Sequence, residues 1–174
     1  MPRPSPRSPW SAKPRSRVTD APVSWPQGVA RHVLDRVDST NLEAFRLAPS
    51  LTGPAWIMAR QQQAGRGRRG RAWTDPQGNF AATLVLRPQG AASDAARLSF
   101  VAALAVHQAL HDLCGPTLNL SLKWPNDVLL NGGKLSGILL ESVGSGGAIH
   151  ALVIGIGVNL AAAPDMDQVE PGAT

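Results

Sequence analysis

Gln62-Gln63-Ala64-Gly65-Arg66-Gly67-Arg68-Arg69-Gly70-Arg71 is the stretch on which the fold assignment turns. Gly65, Gly67 and Gly70 spell GxGxxG, the fingerprint of a dinucleotide-binding βαβ unit. That motif functions only where a strand turns into a helix whose N-terminus holds a pyrophosphate. Here it is followed by Arg71-Ala72-Trp73-Thr74-Asp75-Pro76-Gln77-Gly78, a run that does not open a helix. No GK[ST] closes the segment, so the P-loop is excluded with the dinucleotide fold. The stretch is a glycine- and arginine-rich loop between strands.

Working outward, upstream of the loop His32–Val37 reads as a strand, and Asp38-Ser39-Thr40 opens a helix. Thr40 with Glu43 three residues on makes a capping box, with Leu42, Phe45 and Leu47 behind it and Pro49 as the stop. Ala55–Gln61 reads as a strand. Downstream, Asn79–Arg87 alternates, with Phe80, Ala82, Leu84 and Leu86 on one face, as a half-buried strand does. Asp94–Leu113 is a long helix stopped by Gly115-Pro116. Leu118–Trp124 and Asp127–Leu130 are strands about a Pro125-Asn126 turn, and Asn131-Gly132 is a hairpin signal leading into the strand Lys134–Val143. A glycine-rich turn at 144–147 precedes a last strand, Ile149–Leu160. Strands in runs with two helices predict an α+β fold: a mixed, largely antiparallel sheet with the helices packed on one face.

The first 27 residues are of another kind. They hold seven prolines among Arg and Ser with no apolar periodicity, a composition that buries too little surface to order itself. We read 1–27 as a disordered arm and 28–174 as one domain. The arm lacks the apolar segment of a secretory signal, and its prolines oppose the amphipathic helix of a transit peptide. It also carries the charge. The chain is +5 overall, and the five basic residues before Val18 have no acidic partner among them. From Val18 on, 12 basic residues meet 12 acidic ones, and five of the 12 basic residues lie between Arg60 and Arg71. A nucleic-acid binder shows a basic face on its folded body; this chain shows a basic arm and one basic loop, which argues against DNA. No stretch approaches the roughly 18 apolar residues of a membrane span. The single cysteine, Cys114, excludes an internal disulfide and a cysteine-built zinc site, and points to a reducing, cytoplasmic setting.

Three segments carry chemistry. In the arginine loop, glycine permits close backbone approach and guanidiniums grip carboxylate or phosphate in paired hydrogen bonds. Mutual repulsion of four arginines predicts a loop that stays open until an anion arrives. A solvated basic loop is the alternative, and the two glutamines before it and Trp73 after it favour a binding site. The second segment is Lys123-Trp124-Pro125-Asn126-Asp127 with Lys134-Leu135-Ser136-Gly137-Ile138. Lys134 either brings an ammonium into a pocket or is an exposed edge-strand charge. Asn126 and Asp127 either cap a turn or touch a nucleotide and its metal. The third is Ile154-Gly155-Ile156-Gly157-Val158-Asn159. Alternating glycines in an apolar strand mark a place where something lies close against the backbone, a ligand or another element.

Taken together, Asp-Ser-Thr-Asn at 38–41, the arginine loop at 62–71, Lys-Trp-Pro-Asn-Asp at 123–127, Lys-Leu-Ser-Gly-Ile-Leu at 134–139 and Gly-Ile-Gly-Val-Asn at 155–159 resemble the biotin–protein ligases, in that family's order and spacing. The resemblance covers about residues 29–160 and implies a class II synthetase-like α+β catalytic domain. It implies an AMP-forming ligase that activates biotin with ATP and Mg²⁺ to biotinyl-5′-AMP, then biotinylates a lysine of a biotin carboxyl carrier protein. Ser39, Thr40, Asn41 and Gln62 match the family's biotin contacts. Arg66, Gly67 and Arg68 match the loop that folds over biotin and the intermediate. Lys134 matches the lysine beside the reacting carboxylate and α-phosphate, and Arg66, Arg68 and Lys134 become the catalytic set. Trp73, Asn126 and Asn159 resemble positions near the adenine. No resident metal ligands are implied, and a homodimer is left open.

Two departures qualify the resemblance. The arm has no room for the helix-turn-helix of members that repress transcription, which disfavours a biotin-binding regulator. The chain ends at Thr174, whereas the family usually continues with more catalytic structure and a small β-barrel, so the implied catalytic domain is incomplete. A lipoate or octanoate ligase or transferase of the same fold is the alternative enzyme, and a non-catalytic biotin binder the third. The chemistry requires no serine or cysteine nucleophile, and Cys114, at an apolar helix end, is expected in the core.

Overall fold

The computed structural model describes residues 24–88, 92–145 and 148–163; the arm up to residue 23 and part of the turn at 144–147 lie outside them. Seven strands and two helices follow one another as β1 (Ala30–Leu34), α1 (Thr40–Leu47), β2 (Ala55–Ala59), β3 (Phe80–Leu86), α2 (Ala92–Cys114), β4 (Leu120–Lys123), β5 (Asp127–Leu130), β6 (Gly133–Ser145) and β7 (Ala148–Val158). They form one sheet in the order β1-β2-β3-β7-β6-β5-β4. Only β1 and β2 run parallel, with α1 as their crossover; every other neighbouring pair is antiparallel. The mixed, largely antiparallel α+β sheet is the one expected.

The placing of the helices is not. Ala44 and Ala48 of α1 pack on Ala55, Ile57, Val85, Ala151 and Val153. Ala95 and Ala103 of α2 pack on Val128, Ile138, Leu152 and Ile154. Val153 and Ile154 are consecutive, and successive strand residues point to opposite faces. The two helices therefore cover opposite faces of the sheet, which corrects the expectation of a single helical face. The sign was the unbroken apolar run Leu152-Val153-Ile154, which belongs to a strand buried on both sides. β3 is likewise not half-buried. Leu84 and Leu86 face α2, while Ala81, Thr83 and Val85 are buried on the α1 side.

Local punctuation follows the residues. Asn131 and Gly132 both have positive φ (51° and 82°), as a two-residue hairpin of this hand needs. Gly115, at φ 85°, ends α2 and donates its N–H to the His111 carbonyl. The capping box at α1 does not form. Ser39 is the N-cap, without a side-chain cap bond. The Thr40 hydroxyl turns to Gln62, and Glu43 takes a hydrogen bond from Arg46 (2.8 Å). Cys114 is exposed, because the last turn of α2 carries Leu113 and Cys114 outward. Among the described residues no helix is long and apolar enough to cross a membrane.

Leu152 is fully buried between the central sheet and α2. Leu152→Ala is expected to cost about 2–5 kcal/mol, read as a shift of the denaturation midpoint at unchanged slope.

Candidate active site

All the chemistry-bearing segments meet on the α1 face of β3, β7 and β6. Gly155 and Gly157 of β7 and Gly137 of β6 leave that face without side chains, and neighbouring residues lie down into the gap. A Cβ on Gly155 would stand 2.2 Å from Asn41 Oδ1; one on Gly157 would stand 2.5 Å from the Trp73 ring, and one on Gly137 3.0 Å from it. The alternating glycines thus admit an asparagine and an indole onto the bare backbone.

Around Asn41 lies a polar nest. Thr40 donates its backbone N–H and its hydroxyl to Gln62 Oε1 (2.9 and 3.0 Å). Thr83, wholly buried on β3, donates to Asn41 Oδ1 (2.7 Å), and its oxygen is 2.8 Å from the Thr40 hydroxyl. Asn41 Nδ2 donates to Glu141 (2.8 Å) and toward the Leu139 carbonyl (3.4 Å). Ser39 is buried beside this nest, and its hydroxyl makes no bond among the described residues. Asn41 is thereby a strut between α1 and the sheet, while Ser39, Thr40 and Gln62 keep polar valences to offer.

The arginine loop is folded rather than open. Ala64 and Gln63 donate backbone N–H groups to the Asp38 and Val37 carbonyls (both 2.8 Å), Gly67 donates to Arg71 (2.7 Å), and Trp73 donates to Gly65 (2.9 Å). Arg66 bridges Ala72, Arg69 sits at φ 58°, and Gly70 follows at φ 75°. The loop's own backbone bonds outweigh the repulsion of its guanidiniums. Arg68 reaches across to donate to Asn126 Oδ1 (3.0 Å), and Asn126 is itself tied to Ile138 through Nδ2 (2.8 Å). Arg66, Arg69 and Arg71 make no side-chain hydrogen bond or ion pair among the described residues. At the loop's other foot Asp38 is ion-paired with Arg46, which holds its carboxyl below the usual range.

Lys134 occupies the far end. β6 is an interior strand, so Lys134 is not an edge charge. A bulge pairs Ser136 with Val128 and Lys134 with Leu129, leaving Leu135 as the extra residue. Without it, alternation would send Lys134 to the α2 face; with it, Lys134 shares the face of Gly137 and Asp127. Its Nζ lies 2.9 Å from Asp127 Oδ1 and 5.7 Å from the centre of the Trp73 ring. Asn159, expected near an adenine, is 97% buried and committed: its Nδ2 donates to the Lys134 carbonyl (3.3 Å), and its Oδ1 accepts from Asn79 (3.1 Å). A shallow depression between α2 and the Pro125-Asn126 turn, floored by Ile138 and Leu140, touches this site only through Arg68 and Asn126.

Thr83, Glu141, Asp75 and Asn79 were not among the expected site residues. They lie in strands or turns with no motif of their own, and only tertiary contacts give them a role. Asp75 Oδ2 accepts the Gln62 backbone N–H (3.0 Å), while its Oδ1 is buried without a partner among the described residues. Burial pushes the Asp75 carboxyl up, against the pull of Gln62. Among the described residues no three His, Cys, Asp or Glu side chains gather as a metal site.

Two expectations follow. A group whose folded pKa is raised contributes stability below its unfolded value of 3.8, lost as pH rises through the folded value. Asp75→Asn removes that loss, so its melting temperature relative to the parent should climb with pH from acid to neutral; a constant difference would contradict it. Gly155→Ala should cost about 1–3 kcal/mol through overpacking, and much less in an Asn41→Ala background, as a double-mutant denaturation cycle will report.

Residues 33–159 match the model of the biotin/lipoate A/B protein ligase family. The biotin–[acetyl-CoA-carboxylase] ligase of Paracoccus denitrificans is 67% identical over 142 residues, which are 82% of this chain and 59% of that protein. The chain therefore spans about three fifths of that relative's length. Among solved structures, the Leishmania major biotin protein ligase in complex with biotinyl-5-AMP aligns with a TM-score of 0.67 at 30% identity, over 79% of this chain and 60% of that one. The Aquifex aeolicus biotin protein ligase in complex with biotin and ATP aligns at 0.63 and 31% identity, over 78% and 55%. With the family model spanning the cradle from β1 to Asn159, the chain belongs to the biotin/lipoate A/B protein ligase family.

Proposed function

We propose that this chain activates biotin with ATP to biotinyl-5′-AMP and transfers the biotinyl group to a lysine of a biotin carboxyl carrier protein. The observation that carries this reading is the layout of one sheet face: a polar nest at Ser39, Thr40 and Gln62, a glycine floor, and an ammonium at Lys134 beyond it. The polar end suits a ureido ring, which donates and accepts hydrogen bonds, and suits the apolar dithiolane of lipoate or an octanoyl chain poorly. On this reading residues 28–174 are the catalytic domain and residues 1–27 an arm on which the chemistry does not call.

In the reaction, the biotin carboxylate attacks the α-phosphorus of ATP, and pyrophosphate leaves. Two anions converge, so Lys134 and the guanidiniums of Arg66 and Arg68 oppose the charge that builds there. Magnesium would enter as part of the Mg·ATP substrate and offset charge on its phosphates. The Trp73 indole lies on the Gly157 floor with an N–H that has no acceptor among the described residues, and with Asn126 and Asn159 it frames the nucleotide end. Gly67 lets the loop backbone close over the mixed anhydride and exclude water. The acceptor amine then attacks the acyl carbon, and AMP departs with the bonding pair of the anhydride oxygen.

Single-turnover incubation with Mg·ATP and biotin, lipoate or octanoate in turn tests this by mass spectrometry of the acyl-adenylate. Biotinyl-AMP alone is the expected product, and Lys134→Ala should slow its formation by about 10²–10³ with biotin binding retained. Lipoyl- or octanoyl-AMP would move the assignment to the sister activity; a folded sample that neither binds biotin nor forms product would overturn it.

A further inference from the structure

We infer that Asn79 and Asn159 form a relay that aims Lys134, with Asn79 as a positioning residue acting through the β6 bulge. The inference rests on the role given to Lys134 above. Lys134 is the second residue of β6, next to a hairpin turn, where a strand end frays readily. Its direction depends on the bulge at Leu135, and a bulge interrupts the ladder that would otherwise hold it. The bulge is instead gripped from β7. Asn159 donates its backbone N–H to the Leu135 carbonyl (2.8 Å) and its Nδ2 to the Lys134 carbonyl (3.3 Å).

Asn79 sets which way round Asn159 stands. Its Oδ1 accepts from the backbone N–H groups of Ala161 (2.9 Å) and Ala162 (3.1 Å). Those two donors fix the oxygen side, so Nδ2 must face acceptors, and it donates to the Ala162 carbonyl (2.8 Å) and to Asn159 Oδ1 (3.1 Å). All four valences of the Asn79 amide are used. With its oxygen claimed by Asn79, Asn159 can only turn its NH₂ toward the bulge. Both asparagines are at least 90% buried, so water does not substitute for either partner. The segment after β7 is thus linked through two amides to the carbonyl of the lysine whose ammonium rests on Asp127.

Asn79→Asp keeps the shape and the two bonds from Ala161 and Ala162 but sets an oxygen against Asn159 Oδ1, turning the second amide away from Lys134. Asn159→Ala removes the amide's share of the grip, leaving its backbone N–H on the Leu135 carbonyl, and serves if the first variant folds poorly. The chain has three lysines, Lys13, Lys123 and Lys134. Acylation by acetic anhydride at one pH, mapped by mass spectrometry, therefore reads Lys134 against Lys13 as internal reference, since Lys123 stands opposite Asp127 across β4 and β5. Released from Asp127, Lys134 should acylate about threefold or more faster relative to Lys13 in both variants, as it should in Asp127→Asn. Ratios unchanged in both while Asp127→Asn moves would overturn the relay, and this readout does not depend on catalysis. In the single-turnover assay both variants should form adenylate about tenfold more slowly, with biotin affinity within about twofold of the parent. Asn79→Asp should cost nothing further in a Lys134→Ala background. An equal loss there would mean Asn79 acts elsewhere; an undiminished rate in Lys134→Ala alone would refute the role of Lys134 rather than the relay.

Discussion

On its α1 face, β7 carries no side chain at Gly155 or Gly157, and the arrangement of the cradle depends on that gap. A central strand is normally covered by a layer of side chains on each face. Here the α2 face keeps its layer, with Leu152, Ile154 and Ile156, while the other face offers bare backbone next to Gly137 of β6. Asn41 lies against Gly155, and Trp73 against Gly157 and Gly137. With alternate residues of a strand roughly 7 Å apart, the two anchors set the spacing between the polar nest at the start of α1 and the indole that closes the arginine loop. The apolar layer beneath, pressed by α2, gives that floor its rigidity.

A second constraint acts at the other end. Alternation along β6 would turn Lys134 away from the cradle, and one extra residue turns it back. The bulge is a local departure from regular pairing, held by the backbone and amide of Asn159. The glycine strand thus contributes twice: its glycines admit Asn41 and Trp73, and its exit residue holds the bulge. The Gly-Ile-Gly-Val-Asn segment is one device, with a floor and a clamp two residues apart.

Much of this was legible in the residues, for particular reasons. The rejection of a nucleotide-binding helix after Gly70 rested on Trp73, Asp75 and Pro76, and no helix follows. The hairpin at Asn131-Gly132 was legible because positive φ at two consecutive positions restricts the residues that fit. The glycines of β7 announced a close approach without saying what approached. Other readings failed where one pattern serves two structures. Thr40 and Glu43 have the spacing of a capping box, yet Thr40 has a stronger engagement with Gln62, 22 residues away. Four arginines in a row of glycines read as an open loop, but backbone bonds to Asp38, Gly65 and Arg71 close it.

The elements, the mixed sheet and the motifs of the cradle could be read from the residues in order. These are local matters of period, turn chemistry and residue type. The folded chain was needed to show that the helices take opposite faces, that Asn41 and Asn159 spend their amides on the fold, and that Thr83, Glu141, Asp75 and Asn79 bond to the residues of the cradle. The physical reason is that a hydrogen bond or a packed face is shared between partners distant in the chain, and neither partner alone carries a mark of the other.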